Sequence, residues 1–389
     1  MKCLLHIGTE KTGTTVLQEW LYSNQKVLSS NGVYLSNNLG KTNNRLFPAF
    51  FQNKLDDWAK IKKISSLEEK ESYFSNFAAD FSTEVARAKS KHKVFVITSE
   101  HLHSRIRSKE EVEALHDFLV SNFDEVEVVC YFRNQFDVVV SLYSTALKAS
   151  SSVLLDSFLK SAKPENYYYN YAKIADLWST TFGRECCNFR LYQRNTFIEE
   201  DIRKDFLSAV DPNLNFEIFD YSISSSNESM SLLKGAAYRA VNDSIPFWVE
   251  NNGGRNMFNM LVKTKLNALS ELNVGRIESP AKGEILEKFR ETNDYFFKTY
   301  FNCENLFLES SESRLSVNNV PIEQVELIVE AVTKTVLDLV VTKNNSKLNN
   351  IADALKNFRL STSKRPKLRS LTRKQVKEWF ELFQHFFRK

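Results

Sequence analysis

Short, largely apolar runs recur along the first half of this chain, and each is followed by polar residues and then by a helical pattern. The runs cover residues 4–7, 32–35, 93–98 and 126–132. Continuous apolar runs of this length are typical of strands that are buried on both faces, as in parallel sheets. Strands that alternate with helices predict right-handed crossovers, so we expect an α/β fold with a parallel sheet flanked by helices.

The polar stretch after the first run, residues 8–15, combines Gly, Thr and Lys, and apolar residues at helical spacing follow over residues 16–21. A strand, such a turn and a helix start can hold a terminal phosphate-like group, because backbone N–H groups point at the anion and the lysine adds positive charge. Gly8 and Gly13 have the spacing of a Walker A loop, but Lys11 precedes Gly13 instead of following it. The same kind of turn also occurs in α/β proteins without a ligand.

A second informative stretch begins with the run at 126–132, which ends at Arg133. Asp137 stands where it could cap a helix that continues over residues 139–147, and Ser141 lies eight residues after Arg133. Two simpler interpretations stay open, namely an arginine in a surface ion pair at a strand end and a solvated serine on a helix.

Together the two stretches resemble the PAPS-dependent sulfotransferases, whose donor is 3′-phosphoadenosine 5′-phosphosulfate (PAPS). In that family a K-[ST]-G-T-[TS] loop binds the 5′-phosphosulfate, and an R-x(7)-S element binds the 3′-phosphate. The residues that match these two elements, in the expected order, are Lys11, Thr12, Gly13, Thr14, Thr15, Arg133 and Ser141. The resemblance implies a P-loop-like fold and a sulfuryl-transfer activity that requires no metal.

Other parts of the resemblance extend it over roughly residues 1–309. A strand that ends near Tyr192 implies that this tyrosine lies close to the adenine, although an ordinary core tyrosine fits the pattern equally well. Residues 227–231 and 293–307 are also similar to bacterial members. The R-K-G element of the cytosolic branch is absent, and residues 253–255 are a poor substitute for it.

The acceptor group needs a base, and the family usually carries it just after the third strand. The resemblance therefore implies Glu100 as the base, with His101 second and His103 third. Alternatively, the histidines are hydrogen-bonded loop residues and Glu100 caps the following turn.

Three of these candidates each follow the carboxyl end of a predicted strand, namely Lys11, Glu100 and Arg133. Ligands of open parallel sheets bind outside the carboxyl ends of the strands, so we expect all three to face one crevice. Lys11 is the candidate for stabilising charge on the leaving oxygen of an in-line displacement.

We predict two parts of the 389-residue chain, an α/β domain over 1–309 and a helical, basic extension over 310–389. The polar, helical segment 36–92 is an insertion that covers the donor site, contacts the acceptor or forms a peripheral layer. The end of the chain, residues 364–389, combines a basic run with an aromatic amphipathic helix. That helix could lie on the inner face of an anionic membrane, or pack against the protein or a partner.

Composition narrows the class of protein. A net charge of +4 does not favour nucleic-acid binding. Five cysteines without a C-x-x-C pair or zinc spacing fit a reducing compartment. No signal peptide or apolar span is evident, so a cytoplasmic location is expected.

The resemblance to bacterial members favours a saccharide acceptor, such as a unit of a capsule or exopolysaccharide. Two other functional classes remain, a P-loop kinase of small molecules and a non-catalytic scaffold with a retained nucleotide fold. The position of Lys11 and the lack of a clear Mg²⁺-binding aspartate argue against the kinase. The joint presence of the candidate site residues argues against the scaffold.

Overall fold

The computed structural model describes residues 1–40, 42–222, 230–245, 256–273, 277, 281–308 and 335. The predictions about the 310–389 extension, the 364–389 tail and residues 253–255, and most of 227–231, lie outside the described residues. The described chain forms two compact units. The first comprises the described parts of Met1–Val138, Ser161–Glu228 and Ile285–Glu309, and the second those of Val139–Lys160, Ser229–Glu284 and Ser310–Lys389. The proposed boundary at residue 309 stays a prediction.

The first unit contains a five-stranded parallel sheet with the order β2-β3-β1-β4-β5. Its strands are β1 (Lys2–Gly8), β2 (Val33–Leu35), β3 (Val94–Thr98), β4 (Glu125–Phe132) and β5 (Cys187–Leu191). The predicted apolar runs are therefore confirmed as strands, and the parallel α/β class is confirmed with them. Because β1 lies between β3 and β4, the loops after these three strands emerge at neighbouring positions on one edge.

Helices connect the strands throughout. Before β3 they are α1 (Thr14–Ser23), α2 (Gln25–Ser30), α3 (Leu46–Phe51), α4 (Asp57–Ile61), α5 (Leu67–Tyr73) and α6 (Phe77–Lys89). Between β3 and β5 they are α7 (His101–Arg105), α8 (Lys109–Asn122), α9 (Gln135–Lys148), α10 (Leu155–Ser161) and α11 (Tyr171–Phe182). After β5 they are α12 (Ile202–Val210), α13 (Leu232–Ser244), α14 (Met257–Ala268), α15 (Lys282–Lys288) and α16 (Arg290–Phe301). Helices α3–α6 lie within segment 36–92, and its role as an insertion over the donor site or the acceptor stays a prediction.

The sheet is buried on both faces, as its apolar strands require. Leu5 of β1 faces a core that includes residues of α3, α6, α8, α11 and α16. Leu4, on the opposite side of the same strand, packs with Trp20 of α1 and Phe206 of α12. Strand residues alternate between the two faces, so helices on both sides cover the sheet. Segment 36–92 therefore contributes to this core through Phe47 of α3 as well as forming helices of its own.

The second unit is held by polar contacts at the end of α9. The buried Lys263 ammonium donates to the carbonyl oxygens of Leu147 and Lys148, both at 3.2 Å. Asn242 also donates to the Leu147 carbonyl, at 2.9 Å. Burial lowers the pKa of Lys263 to about 8. The Leu147 carbonyl also accepts from the backbone N–H of Ser150 at 3.0 Å. Backbone and side-chain donors together therefore satisfy the carbonyl groups at the end of α9.

Candidate functional site

The loop after β1 is shaped by glycines at both ends. Gly8 has φ +100°, and a Cβ there would stand 3.1 Å from Cα of Glu100. Gly13 has φ +72°, and a Cβ there would stand 3.1 Å from the hydroxyl of Tyr192. Two features favour glycine at both positions. The backbone is left-handed, and a neighbouring residue lies close to where a Cβ would stand. The predicted turn between strand and helix is confirmed.

Helix α1 begins directly after this loop, with Gly13 at its N-cap and no side-chain hydrogen bond that caps it. Its first turn contains no acidic residue. An uncapped helix N-terminus carries unpaired N–H groups and partial positive charge, which suits an anion.

The three threonines of the loop have different surroundings. Thr12 is buried, and its hydroxyl donates to the Thr9 carbonyl at 2.6 Å, so this hydroxyl braces the loop. Thr14 is buried at the helix start, whereas Thr15 is exposed. Their predicted contacts with a donor stay predictions.

Arg133 joins the loop to the end of β4. Its Nη1 donates to the carbonyl oxygen of Lys11 at 3.1 Å. Its guanidinium lies over the ring of Tyr192, 5.4 Å from the centroid. The structure thus brings together Lys11, Gly13, Arg133 and Tyr192, which come from three different loops of the sequence.

Asp137 does not cap helix α9, and that prediction was wrong. The side-chain oxygen of Asn134 accepts from the backbone N–H groups of Phe136 and Asp137, at 3.0 and 3.3 Å. Asn134 is therefore the cap, because its short side chain reaches the first-turn donors from outside the helix. Asp137 lies in the first turn, with its carboxylate 3.9 Å from Nε of Arg133.

Ser141 lies further along α9 and belongs to the second unit, whereas Arg133 belongs to the first. Its backbone carbonyl accepts from the hydroxyl of Thr145 at 3.1 Å. The predicted role of Ser141 in binding a 3′-phosphate stays a prediction.

Glu100 stands directly after β3, where the sequence predicts a base. It occupies the N-cap position of α7 but makes no capping bond with its side chain, so the alternative of a local cap is not supported. Its Oε2 instead accepts from Nε2 of Gln18 at 2.7 Å. Gln18 is buried on α1 and also donates to Thr98. Because its position is determined from α1 as well as from its own strand, the carboxylate has a defined orientation.

His101 lies beside Glu100, with 3.9 Å between Nε2 and the Glu100 Oε1 atom. Burial lowers the pKa of His101, although the Glu100 carboxylate opposes the shift. Its Nδ1 is buried and has no hydrogen-bond partner among the described residues. Burial thus favours the neutral form of the His101 ring. Which of Glu100 and His101 serves as a base stays a prediction.

His103 is fully buried and both of its ring nitrogens are engaged. Nδ1 faces the backbone N–H of Glu10 at 3.4 Å, and Nε2 faces the Tyr168 carbonyl at 3.0 Å. It is therefore a hydrogen-bonded residue, as in the alternative that the sequence left open, but it lies in helix α7 and not in a loop. A ring with both nitrogens occupied is not free to take a proton from an acceptor.

Asn293, in a stretch that the sequence marked without a role, pairs with Gln135. The two buried side-chain amides exchange hydrogen bonds of 2.8 and 3.1 Å between α16 and α9. A reciprocal buried amide pair satisfies both partners, so it holds α16 at the end of β4.

From the sequence alone, no role was assigned to two residues of this region, Gln18 and Asn134. Gln18 is a polar side chain on the otherwise apolar face of α1, and such a residue indicates a specific buried partner. Asn134 precedes an apolar helical pattern, which is a recognised start signal. Both signals were present in the sequence, but only the fold identifies the partners.

In the part of the chain that the structure covers, no three His, Cys, Asp or Glu side chains are grouped so that they could hold a metal ion. None of the described helices is long and apolar enough to cross a membrane.

Comparisons with known proteins give limited matches. No family model matches the chain. An uncharacterised protein from Archaeoglobus fulgidus is 27% identical over 216 residues, which are 54% of this chain. The match spans 57% of that relative's length. A solved sulfotransferase from Alicyclobacillus acidocaldarius aligns with a TM-score of 0.31 and 14% identity, over 54% of this chain and 75% of its own.

Proposed function

We propose that this protein is a PAPS-dependent sulfotransferase that acts on a saccharide. The observation that carries the proposal is the contact between two candidate anion-binding elements. Arg133, after β4, donates to the carbonyl of Lys11, in the loop after the adjacent strand β1. Two cationic residues and an uncapped helix N-terminus thus lie at one edge of the sheet. A nucleotide with two separate anionic groups, a 5′-phosphosulfate and a 3′-phosphate, would need them there.

The donor would supply an activated sulfuryl group, and the side chains would direct its transfer. The bond between sulfur and the bridging phosphate oxygen breaks while a bond from the acceptor oxygen to sulfur forms. Lys11 stabilises the charge that develops on the leaving oxygen. Glu100 takes the proton from the acceptor hydroxyl. Gln18 holds Glu100 through the bond at 2.7 Å, so the carboxylate needs little rearrangement before it acts.

Arg133 and Tyr192 would contact the nucleotide part of the donor. Arg133 makes one hydrogen bond to the loop and keeps further N–H groups that could pair with the 3′-phosphate. Tyr192 would lie beside the adenine. The saccharide nature of the acceptor rests on the sequence resemblance, and a capsule or exopolysaccharide unit is the proposed source.

The first experiment tests the donor site. Purified protein is titrated with adenosine 3′,5′-bisphosphate in a calorimeter, without and with magnesium. We expect binding that does not need the metal and that falls at least tenfold in Arg133→Ala. The control is Arg194→Ala, since Arg194 is 81% exposed and its ion pair with Glu200 lies on the surface. Binding of ATP with magnesium instead of the bisphosphate would favour a kinase.

The second experiment tests the chemistry with PAPS and a panel of saccharides. Lys11→Ala should lower turnover by about two to three orders of magnitude, because the loss of charge stabilisation costs about 3 kcal/mol or more. Glu100→Gln should keep the affinity for the bisphosphate and lower turnover by roughly two to four orders of magnitude. Gln18→Ala should lower turnover less, by about tenfold, since it only releases the base. Normal turnover in Lys11→Ala, or an unchanged rate in Glu100→Gln, would contradict these roles.

A further inference from the structure

Glu10, the residue before Lys11, is held on two sides. Its backbone N–H points to Nδ1 of His103 at 3.4 Å. Its carboxylate accepts a hydrogen bond of 2.9 Å from the hydroxyl of Tyr168. Burial raises the pKa of Glu10, but hydrogen bonds to the carboxylate and nearby positive charge outweigh it, and the pKa lies below its ordinary value. Glu10 is therefore a charged acceptor at a partly buried position.

The two partners of Glu10 also hold each other. Nε2 of His103 donates to the carbonyl oxygen of Tyr168 at 3.0 Å, and the two ring centroids are 4.7 Å apart. Burial lowers the pKa of His103 to about 4, so the ring is neutral at ordinary pH. A neutral ring has one donor and one acceptor nitrogen, and both are used here. We call these three residues, Glu10, His103 and Tyr168, the Glu10 clamp.

The clamp acts on the backbone of Lys11. Lys11 has φ +69°, a left-handed conformation that residues with a side chain seldom adopt without support. The residue before it, Glu10, is held by the clamp through its backbone N–H and its carboxylate. The carbonyl oxygen of Lys11 itself accepts a hydrogen bond from Nη1 of Arg133 at 3.1 Å. Contacts on both sides thus support Lys11 in this conformation.

We propose that the Glu10 clamp positions Lys11 for its role in sulfuryl transfer, with Glu10, His103 and Tyr168 as positioning residues. The inference rests on the proposed function for what Lys11 does, but not for how the loop is held. A loop that is already in its working conformation loses little entropy when the donor binds and reacts. The three residues thus raise the rate of sulfuryl transfer by holding Lys11, and they do not contact the donor themselves.

The central variant is Tyr168→Phe, which removes the hydroxyl and keeps the ring. Its matched control is Tyr169→Phe, the neighbouring tyrosine, whose hydroxyl faces Ser161 at 3.5 Å and not Glu10. Hydrogen exchange of the backbone amides is measured over residues 8–15 and, as a reference, over β4. We expect about tenfold faster exchange in the loop of Tyr168→Phe, unchanged exchange in β4, and wild-type behaviour in Tyr169→Phe.

Turnover supplies the second readout. With PAPS and a competent saccharide, Tyr168→Phe should lower kcat by about tenfold to a hundredfold and leave the acceptor KM nearly unchanged. His103→Gln keeps a donor and an acceptor on one side chain, whereas His103→Leu has neither. We therefore expect the glutamine variant to retain more activity and slower loop exchange than the leucine variant.

The possible results separate this inference from the proposed function. Loop exchange and kcat in Tyr168→Phe that match the wild type would overturn the clamp. Equal loss in Tyr168→Phe and Tyr169→Phe would overturn it too, since the effect would then be general. A wild-type protein that transfers no sulfuryl group refutes the proposed function alone, because the exchange measurement still decides whether the clamp holds the loop.

Discussion

We expect two buried histidines to make the stability of the first unit sensitive to mild acid. His6 is fully buried in β1, where its Nδ1 pairs with the Thr98 hydroxyl at 2.8 Å and its ring packs against Phe206. Burial lowers the pKa of His6 to about 3 and that of His103 to about 4, from 6.5. Between these values and 6.5 the unfolded chain binds protons that the folded chain does not. The free energy of unfolding should therefore fall as the pH falls below 6.5.

The size of the effect follows from the two shifts. Each histidine changes the free energy of unfolding by about 1.4 kcal/mol per pH unit within this window. Going from pH 6.5 to about pH 5, each contributes a loss of roughly 2 kcal/mol, or about 4 kcal/mol for the two. The pKa of His101 is lowered as well and adds to the loss in the same direction. Total stabilities of domains are about 5–15 kcal/mol, so this loss should be easy to measure.

Urea unfolding followed by tryptophan fluorescence at about pH 5 and pH 7 would measure the change. In His103→Gln, the free energy of unfolding should depend less on pH, with about one proton fewer taken up on unfolding, because a glutamine does not titrate. The control is His116→Gln, since His116 is a surface residue paired with Asp117. An unchanged urea midpoint between the two pH values in the wild type would refute the reasoning, as would an equal effect of both substitutions.

Two further substitutions test the packing and the charge of the site. Gly8→Ala should lower the free energy of unfolding by about 2 kcal/mol and reduce turnover, because the new Cβ meets Glu100 at 3.1 Å in a left-handed backbone. Thermal unfolding would measure this loss, with Gly32→Ala as the control, because Gly32 has φ +81° but its nearest atom is 3.8 Å away. An equal loss of stability in both variants would mean that backbone strain alone, and not the contact with Glu100, is the cause. Asp137→Asn should tighten binding of adenosine 3′,5′-bisphosphate up to about fivefold by calorimetry, because it removes a carboxylate 3.9 Å from Arg133. Weaker binding would mean that Asp137 orients the arginine instead.

The strands and the order of the main elements could be predicted well from the sequence. The run at 126–132 became β4, and the apolar residues at helical spacing over 16–21 became part of α1. Both are local properties, because a continuous apolar run needs burial on two faces and an amphipathic pattern needs it on one. The loop with Lys11 was also predictable, since Gly8 and Gly13 permit backbone conformations that other residues avoid.

The partners of the candidate residues could not be predicted in this way. Both Asn134 and Asp137 fit the local pattern of a residue that caps α9. Which of them does so depends on where the chain turns from β4 into the helix. That Gln18 orients Glu100 depends on the packing of α1 beside the end of β3. The two residues are 82 positions apart in the chain.

The sequence by itself determined which segments are strands, where the glycine-bounded turn before α1 lies, and which residue types stand at the ends of the strands. These features follow from interactions within a few residues, so they can be inferred without knowledge of the rest of the chain. Only the tertiary structure decided that β1 lies between β3 and β4, and this order brings Glu10 to His103 and Tyr168, 93 and 158 residues away. Contacts of this kind depend on the order in which strands pair, which is a property of the whole unit and not of any local pattern.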